Sequence, residues 1–85
     1  MPQIPMRVIV NFLQPTADNP QIQSAIALSC HCRPLFLRMD RADVLIYQIT
    51  LPQGQSFADF EKSMLQQAAS LQIEFIEQDI VMQTQ

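Results

Sequence analysis

The 85 residues are enough for one domain, which on folding would bury roughly 60–65% of the surface of the unfolded chain. The composition is 48% hydrophobic and 15% charged, with one Gly and six Pro, which excludes a disordered chain and a collagen-like or linker sequence. The net charge is −3, whereas nucleic-acid partners favour a basic stripe. We therefore expect a single domain over residues 1–85, with a polar tail at 83–85 and no nucleic acid bound.

Apolar stretches in this sequence fall far short of the roughly 20 residues that a membrane-spanning helix requires. The longest, at 44–51, is interrupted by Gln48. The N-terminal segment has one Arg and a short apolar run broken by Asn11, without the apolar segment and cleavage site of a signal peptide. We expect a cytoplasmic chain, or the cytosolic domain of a membrane protein.

The first predicted elements are a strand, a loop and a helix. β-Branched and aromatic residues predict the strand at 7–13, and a loop with two prolines follows at 14–20. Asn19 before Pro20 suits the N-cap of a helix. Apolar residues at helical spacing predict that helix over 20–30.

A hairpin and a second helix follow. Strands are predicted at 35–39 and 44–51, and the short connection between them favours an antiparallel hairpin. Ser56 and Asp59 form an approximate capping box ahead of a helix of four turns. This helix carries one apolar stripe, formed by Phe57, Phe60, Met64, Ala68 and Leu71.

The last strand is predicted at 73–76 and 80–82, with a polar interruption at 77–79. The order of elements is then β-α-β-β-α-β. Two interlocked βαβ halves of this kind predict an α+β fold, a ferredoxin-like plait with a four-stranded antiparallel sheet and both helices on one face. The expected spatial strand order is 4-1-3-2.

Alternation along the strands assigns side chains to the two faces of this sheet. Seven apolar residues of the first and third strands are expected to face the helices: Val8, Val10, Phe12, Leu45, Tyr47, Ile49 and Leu51. The opposite, open face is then too apolar to leave in water, with Ile9, Leu13, Phe36, Val44 and Ile46. We predict that these five residues form an interface with a second copy or with a partner domain.

The segment Cys30-His31-Cys32 is the only cluster of residue types that bind soft metals. A closed zinc site needs four ligands, and the sequence has no further Cys or His. A bridge between residues i and i+2 is strained on most backbones. Neighbouring residues on a helix also point in different directions, which argues against a Cys–His catalytic dyad. We expect two structural thiols with no metal or cofactor; a metal or redox carrier using Cys30 and Cys32 is the alternative.

The loop at 14–19 precedes a helix N-terminus, where backbone N–H groups favour an anion or a carboxylate. Four polar residues near it are candidates for binding a small ligand: Asn11, Thr16, Asp18 and Asn19. The alternative is that Asp18 and Asn19 only cap the helix.

The element order, the apolar open face and the lack of catalytic groups resemble small regulatory plaits of the ACT type. They also resemble the NIL domain, found at the C-terminus of methionine importer ATPases and in small stand-alone proteins. The segments that carry the resemblance are VNFLQP at 10–15, LFL at 35–37, the strand at 44–51 and IEFIE at 73–77. A C-terminal ACT-like domain of bacterial inner-membrane proteins related to magnesium-limitation virulence factors is similar over the same region, about residues 7–78.

The resemblance implies a non-enzymatic regulatory or sensory domain, either alone or as part of a larger transporter or enzyme. Such a domain dimerises through its sheet and binds a small ligand beside the dimer interface. A ligand-free assembly module that uses the same apolar face is the second hypothesis. The metal or redox carrier is the third.

Overall fold

The computed structural model describes residues 4–79. Four strands and three helices follow one another in chain order: β1 (Ile4–Phe12), α1 (Pro20–Cys30), β2 (Leu35–Arg41), β3 (Val44–Leu51), α2 (Phe57–Leu65), α3 (Ala68–Leu71) and β4 (Ile73–Asp79). The predicted strand segment 80–82 and the polar tail 83–85 lie outside the described residues.

The four strands form one antiparallel sheet, which confirms the expected α+β class and sheet type. The order across the sheet is β2-β3-β1-β4, which is β4-β1-β3-β2 when counted from the other edge. β1 and β3 are therefore the inner strands, and β2 and β4 are the edges. Three helices are present in place of the two expected.

Helix α1 begins where its capping residues predict. The side-chain oxygen of Asn19 accepts a hydrogen bond from the N–H of Ile22 at 3.0 Å, and Pro20 occupies the first helical position. The helix ends at Cys30 because His31 adopts a left-handed conformation, with φ 58°.

The second predicted helix is divided into two. Ser56 and Asp59 form both hydrogen bonds of a capping box at the start of α2. The N–H of Gln67 then bonds to the carbonyl of Met64, three residues back, which tightens the chain into a turn before α3. α3 ends at Leu71, because Gln72 also adopts a left-handed conformation, with φ 60°.

Strand β4 continues through the polar residues at 77–79, so the predicted interruption is wrong. Glu77 pairs with Ile9 and Asp79 pairs with Arg7 along β1. An edge strand tolerates such residues because their side chains reach water while the backbone completes the ladder.

Strand β2 is longer than predicted and irregular. Its pairing with β3 shifts register between Phe36 and Arg38 and again between Met39 and Arg41. Each shift resembles a β-bulge, which changes the face reached by the residues that follow.

The core lies between the sheet and the helices. All seven strand residues expected to face the helices are buried in one cluster with residues of α1 and α2, as predicted. Phe60 and Met64 of the apolar stripe are fully buried, and the other stripe residues pack at the margin of the cluster: Phe57, Ala68 and Leu71.

Replacing Phe60 tests this placement of α2. Phe60→Ala should lower the free energy of unfolding by about 3–5 kcal/mol, because the ring is completely buried and its removal leaves a cavity. Leu65→Ala on the same helix is the matched control, and its cost should be below about 1 kcal/mol since Leu65 is 42% exposed. Urea denaturation followed by circular dichroism measures both. Equal losses for the two variants would mean that α2 presents a different side to the sheet.

Candidate functional site

The open face of the sheet carries three rows of paired residues that cross all four strands, together with the single pair Pro5–Thr50. The middle row runs across all four strands as Arg38, Ile46, Ile9 and Glu77. The row on one side contains Arg41, Val44, Asn11 and Phe75, and the row on the other side contains Leu35, Gln48, Arg7 and Asp79. Directly paired residues point to the same face, so these twelve side chains share the face opposite the core.

Three of the five residues predicted for the interface lie in these rows: Ile9, Val44 and Ile46. They are less exposed than an open face implies, since Ile46 is 4% exposed and Val44 is also buried. Their neighbours from β2, Arg38 and Arg41, have long aliphatic stems, which can cover apolar side chains while their charged ends remain in water.

The other two predicted interface residues lie elsewhere. Phe36 does not belong to the open face: it pairs with the core residue Tyr47, and the two ring centroids are 5.4 Å apart. The predicted position of Phe36 on the open face was therefore wrong, because a residue paired with Tyr47 points to the core side of the sheet. Leu13 follows the end of β1 and is 68% exposed.

Charges of opposite sign occupy the two outer strands of this face. Arg38 and Arg41 lie on β2, whereas Glu77 and Asp79 lie on β4. Within residues 4–79 the single ion pair joins Arg7 to Asp79, with 3.4 Å between Nε and Oδ2. Arg38 and Glu77 therefore carry charges that no ion pair within the described chain neutralises.

Asn11 is separated from the other predicted ligand residues. It pairs with Val44 on the open face, where its side-chain nitrogen donates to Glu77 at 3.4 Å. Asp18 instead accepts from Tyr47, whose ring is in the core on the other side of the sheet. The proposed four-residue cluster is therefore not assembled, because strand alternation turns Asn11 away from the loop.

Polar groups of the loop are engaged within the protein. Asp18 accepts hydrogen bonds from the Tyr47 hydroxyl at 2.5 Å and from the side chain of Gln23 at 3.0 and 3.1 Å. Asn19 caps α1, and the Thr16 hydroxyl donates to the carbonyl of Gln14 at 2.9 Å. A cavity of about 390 Å³ borders these three loop residues, but their hydrogen bonds already serve the fold.

The Tyr47–Asp18 hydrogen bond fixes the loop to the sheet and was missed from the sequence. Burial raises the pKa of the Tyr47 phenol well above its usual value, and the Asp18 carboxylate raises it further. The sequence did offer one indication of this hydrogen bond: Tyr47 was predicted to be buried, and a buried hydroxyl needs a hydrogen-bond partner.

Cys30 and Cys32 lie close together at the turn that follows α1. Their sulfur atoms are 3.5 Å apart, and both residues are free thiols. Burial, followed by the hydrogen bond with Cys32, raises the pKa of Cys30 to about 11. His31 between them is exposed, and none of the hydrogen bonds described for this turn joins it to a sulfur.

The Cys32 side chain of this turn forms hydrogen bonds with the backbone of strand β3. The Cys32 sulfur donates to the carbonyl of Thr50 at 3.1 Å and accepts from its N–H at 3.4 Å. β2 begins only at Leu35, opposite Gln48, so its ladder stops two residues short of Thr50. The Cys32 sulfur therefore occupies the place beside Thr50 that an earlier β2 residue would fill. No residue pattern in the sequence indicates this contact.

An open groove of about 760 Å³ runs beside α1 from its first residues to the cysteine turn. Polar and charged side chains line it at both ends, among them Asp18 and Gln23 at one end and His31, Cys32 and Arg33 at the other. Among residues 4–79, no three His, Cys, Asp or Glu side chains converge as a metal site would require.

Comparison of the chain with protein-family models, with curated proteins and with solved structures finds no match. Of the helices described, none is long and apolar enough to cross a membrane.

Tyr47→Phe tests the contact between loop and sheet. Loss of a hydrogen bond to a carboxylate should reduce the free energy of unfolding by about 1.5–3 kcal/mol near neutral pH. A phenol whose folded pKa is raised stabilises the fold below its unfolded pKa, and this contribution declines as the pH rises above about 10. The stability difference between wild type and variant should therefore shrink above that pH.

Tyrosinate absorbance provides an independent measurement, since Tyr47 is the only Tyr and the chain has no Trp. Tyrosinate should appear only as the protein unfolds in alkali. Ionisation of Tyr47 near its ordinary pKa with the circular dichroism unchanged would contradict the buried hydrogen bond.

Proposed function

We propose that this protein is a non-enzymatic regulatory or assembly domain, and that it works as a homodimer packed through the open face of its sheet. The observation that carries the proposal is the middle row of that face, Arg38-Ile46-Ile9-Glu77. Read across the sheet, this row is positive, apolar, apolar and negative. When a second copy faces it with its row running in the opposite direction, each charge lies opposite a charge of the other sign and each isoleucine lies opposite an isoleucine.

The symmetry of the dimer follows from this row. A two-fold axis parallel to the strands, between β1 and β3, places each β2 over the partner's β4. Arg38 then meets the partner's Glu77. Ile9, the more exposed of the two isoleucines, lies over the partner's Ile46. An axis perpendicular to the strands, through the middle row, would instead oppose Arg38 to its own copy, and like charges at an interface cost several kcal/mol.

Packing distances are compatible with this arrangement. Face-to-face sheets lie about 10 Å apart and rotate by about 30°, which long Arg and Glu side chains can span. The exposed apolar residues Leu35 and Phe75 flank the middle row and would be covered together with the half-buried Ile9. Ion pairs at the rim contribute little affinity, roughly 0–1 kcal/mol each, so their main effect is to select the orientation.

The architecture supports placing the domain among ferredoxin-like plaits. A sheet ordered β4-β1-β3-β2, with α1 after β1 and α2 after β3, corresponds to two interlocked βαβ halves. The similarity to ACT and NIL domains in the segments quoted above supports a regulatory role.

Ligand binding is not part of the proposed function. Thr16, Asp18 and Asn19 form hydrogen bonds within the fold, and Asn11 lies on the opposite face. The proposal of a non-enzymatic domain is supported by the exposed position of His31, which is the only His and has no described contact to either thiol. Self-association is therefore the property that the geometry favours.

Reversal of the charges in the middle row tests the dimer. Sedimentation equilibrium should find a dimer for wild type and an affinity at least about tenfold lower for Glu77→Lys, since the new Lys faces the partner's Arg38. Arg38→Glu should have the same effect. The double variant Arg38→Glu with Glu77→Lys should recover the dimer, because each charge again meets its opposite.

Matched controls carry the same charge changes away from the sheet. Glu61→Lys and Lys62→Glu, both on α2, should leave the affinity unchanged. Circular dichroism on every variant confirms folding. A wild type that stays monomeric at the highest concentration would overturn the proposal. So would single charge reversals that leave the dimer affinity unchanged, or a double variant that does not restore it.

A further inference from the structure

We propose that Cys30 and Cys32 form a redox-active pair, which is oxidised to an intramolecular disulfide by exchange with a small-molecule disulfide and is reduced again by thiols. This site is independent of the proposed dimer, whose contact residues lie on the opposite side of the sheet.

The turn after α1 already brings the two sulfur atoms together. They are separated by 3.5 Å, whereas a disulfide has a bond length of about 2.05 Å, so closure requires a relative movement of about 1.5 Å. The left-handed conformation of His31 folds the chain back between them, and this overcomes the usual separation of residues i and i+2. A short, strained bridge of this kind is more easily reduced than a structural disulfide.

The two thiols differ in access. Cys32 is half-buried and lines the open groove beside α1, so a small disulfide can approach its sulfur. Cys30 is completely buried within the core cluster. Burial also raises the pKa of the Cys30 thiol, which disfavours the thiolate that would begin an exchange. Cys32 is therefore the attacking residue and Cys30 the resolving one.

The exchange balances in two steps. The Cys32 thiolate attacks one sulfur of the small disulfide; a new S–S bond forms, and the first small thiolate leaves. Cys30 then loses its proton and attacks the Cys32 sulfur, so that the mixed disulfide breaks and the second small thiolate leaves. The protein loses two electrons and two protons, and the small disulfide is reduced to two thiols.

Oxidation also changes the end of strand β3. In the reduced protein the Cys32 sulfur bonds to both backbone groups of Thr50. Movement toward Cys30 withdraws the sulfur from Thr50, and no β2 residue is paired there to replace it. The oxidised protein should therefore lose protection at this amide, which gives the site a structural readout besides its chemistry.

The experiment exposes the folded protein to glutathione disulfide and measures intact mass. Wild type should lose two hydrogen atoms and retain no glutathione. Cys30→Ala, which lacks the resolving thiol, should keep one glutathione on Cys32, whereas Cys32→Ser should remain unmodified because Cys30 is buried. Hydrogen exchange of wild type should then be faster at the Thr50 amide after oxidation, and dithiothreitol should restore the original rate.

Several results would overturn the assignment. Wild type that keeps its mass, retains glutathione or forms a disulfide between two copies lacks the intramolecular step. Modification of Cys32→Ser as fast as that of Cys30→Ala would contradict the difference in access. Circular dichroism establishes that each variant is folded, and Cys32→Ala replaces Cys32→Ser if the serine hydroxyl perturbs Thr50.

Discussion

The pairing of β1 with β3 is the constraint on which both faces of the protein depend. Eight residue pairs join these inner strands, from Ile4 opposite Leu51 to Asn11 opposite Val44. Because side chains alternate, the pair Val8–Tyr47 reaches the core and the adjacent pair Ile9–Ile46 reaches the open face. A slip of β1 by one residue would turn its side chains over, exposing Val8 and burying Arg7.

Local signals predicted where most elements begin, except that β1 begins at Ile4 and ends at Phe12, whereas the strand was predicted at 7–13. The helix at 20–30 and the strand at 44–51 match α1 and β3, because an N-cap, a proline and a run of β-branched residues act within a few positions. The continuation of β4 through Asp79 depends on hydrogen bonds to β1. The residue types at 77–79 do not indicate this pairing. The division of the second helix likewise depends on the turn at Gln67.

Site residues were harder to predict because they depend on pairing across the sheet. Alternation placed the β1 and β3 side chains on their faces, but the register shift after Phe36 brings Arg38, rather than Leu37, into the middle row. The contact of Cys32 with Thr50 exists because β2 starts two positions too late to cover that backbone. Neither shift nor start can be inferred from the residues of β2 alone.

The distribution of charge over the open face gives the sheet an electric dipole that crosses the strands. Arg38 and Glu77 lie on its outer strands, which three strand spacings separate by about 14 Å. This separation exceeds the screening length of about 8 Å at physiological ionic strength. At low ionic strength two copies that approach face to face with opposed dipoles attract each other before contact, whereas physiological salt confines the attraction to the last few ångströms. Ionic strength should therefore act on the rate of encounter more strongly than on the lifetime of the complex.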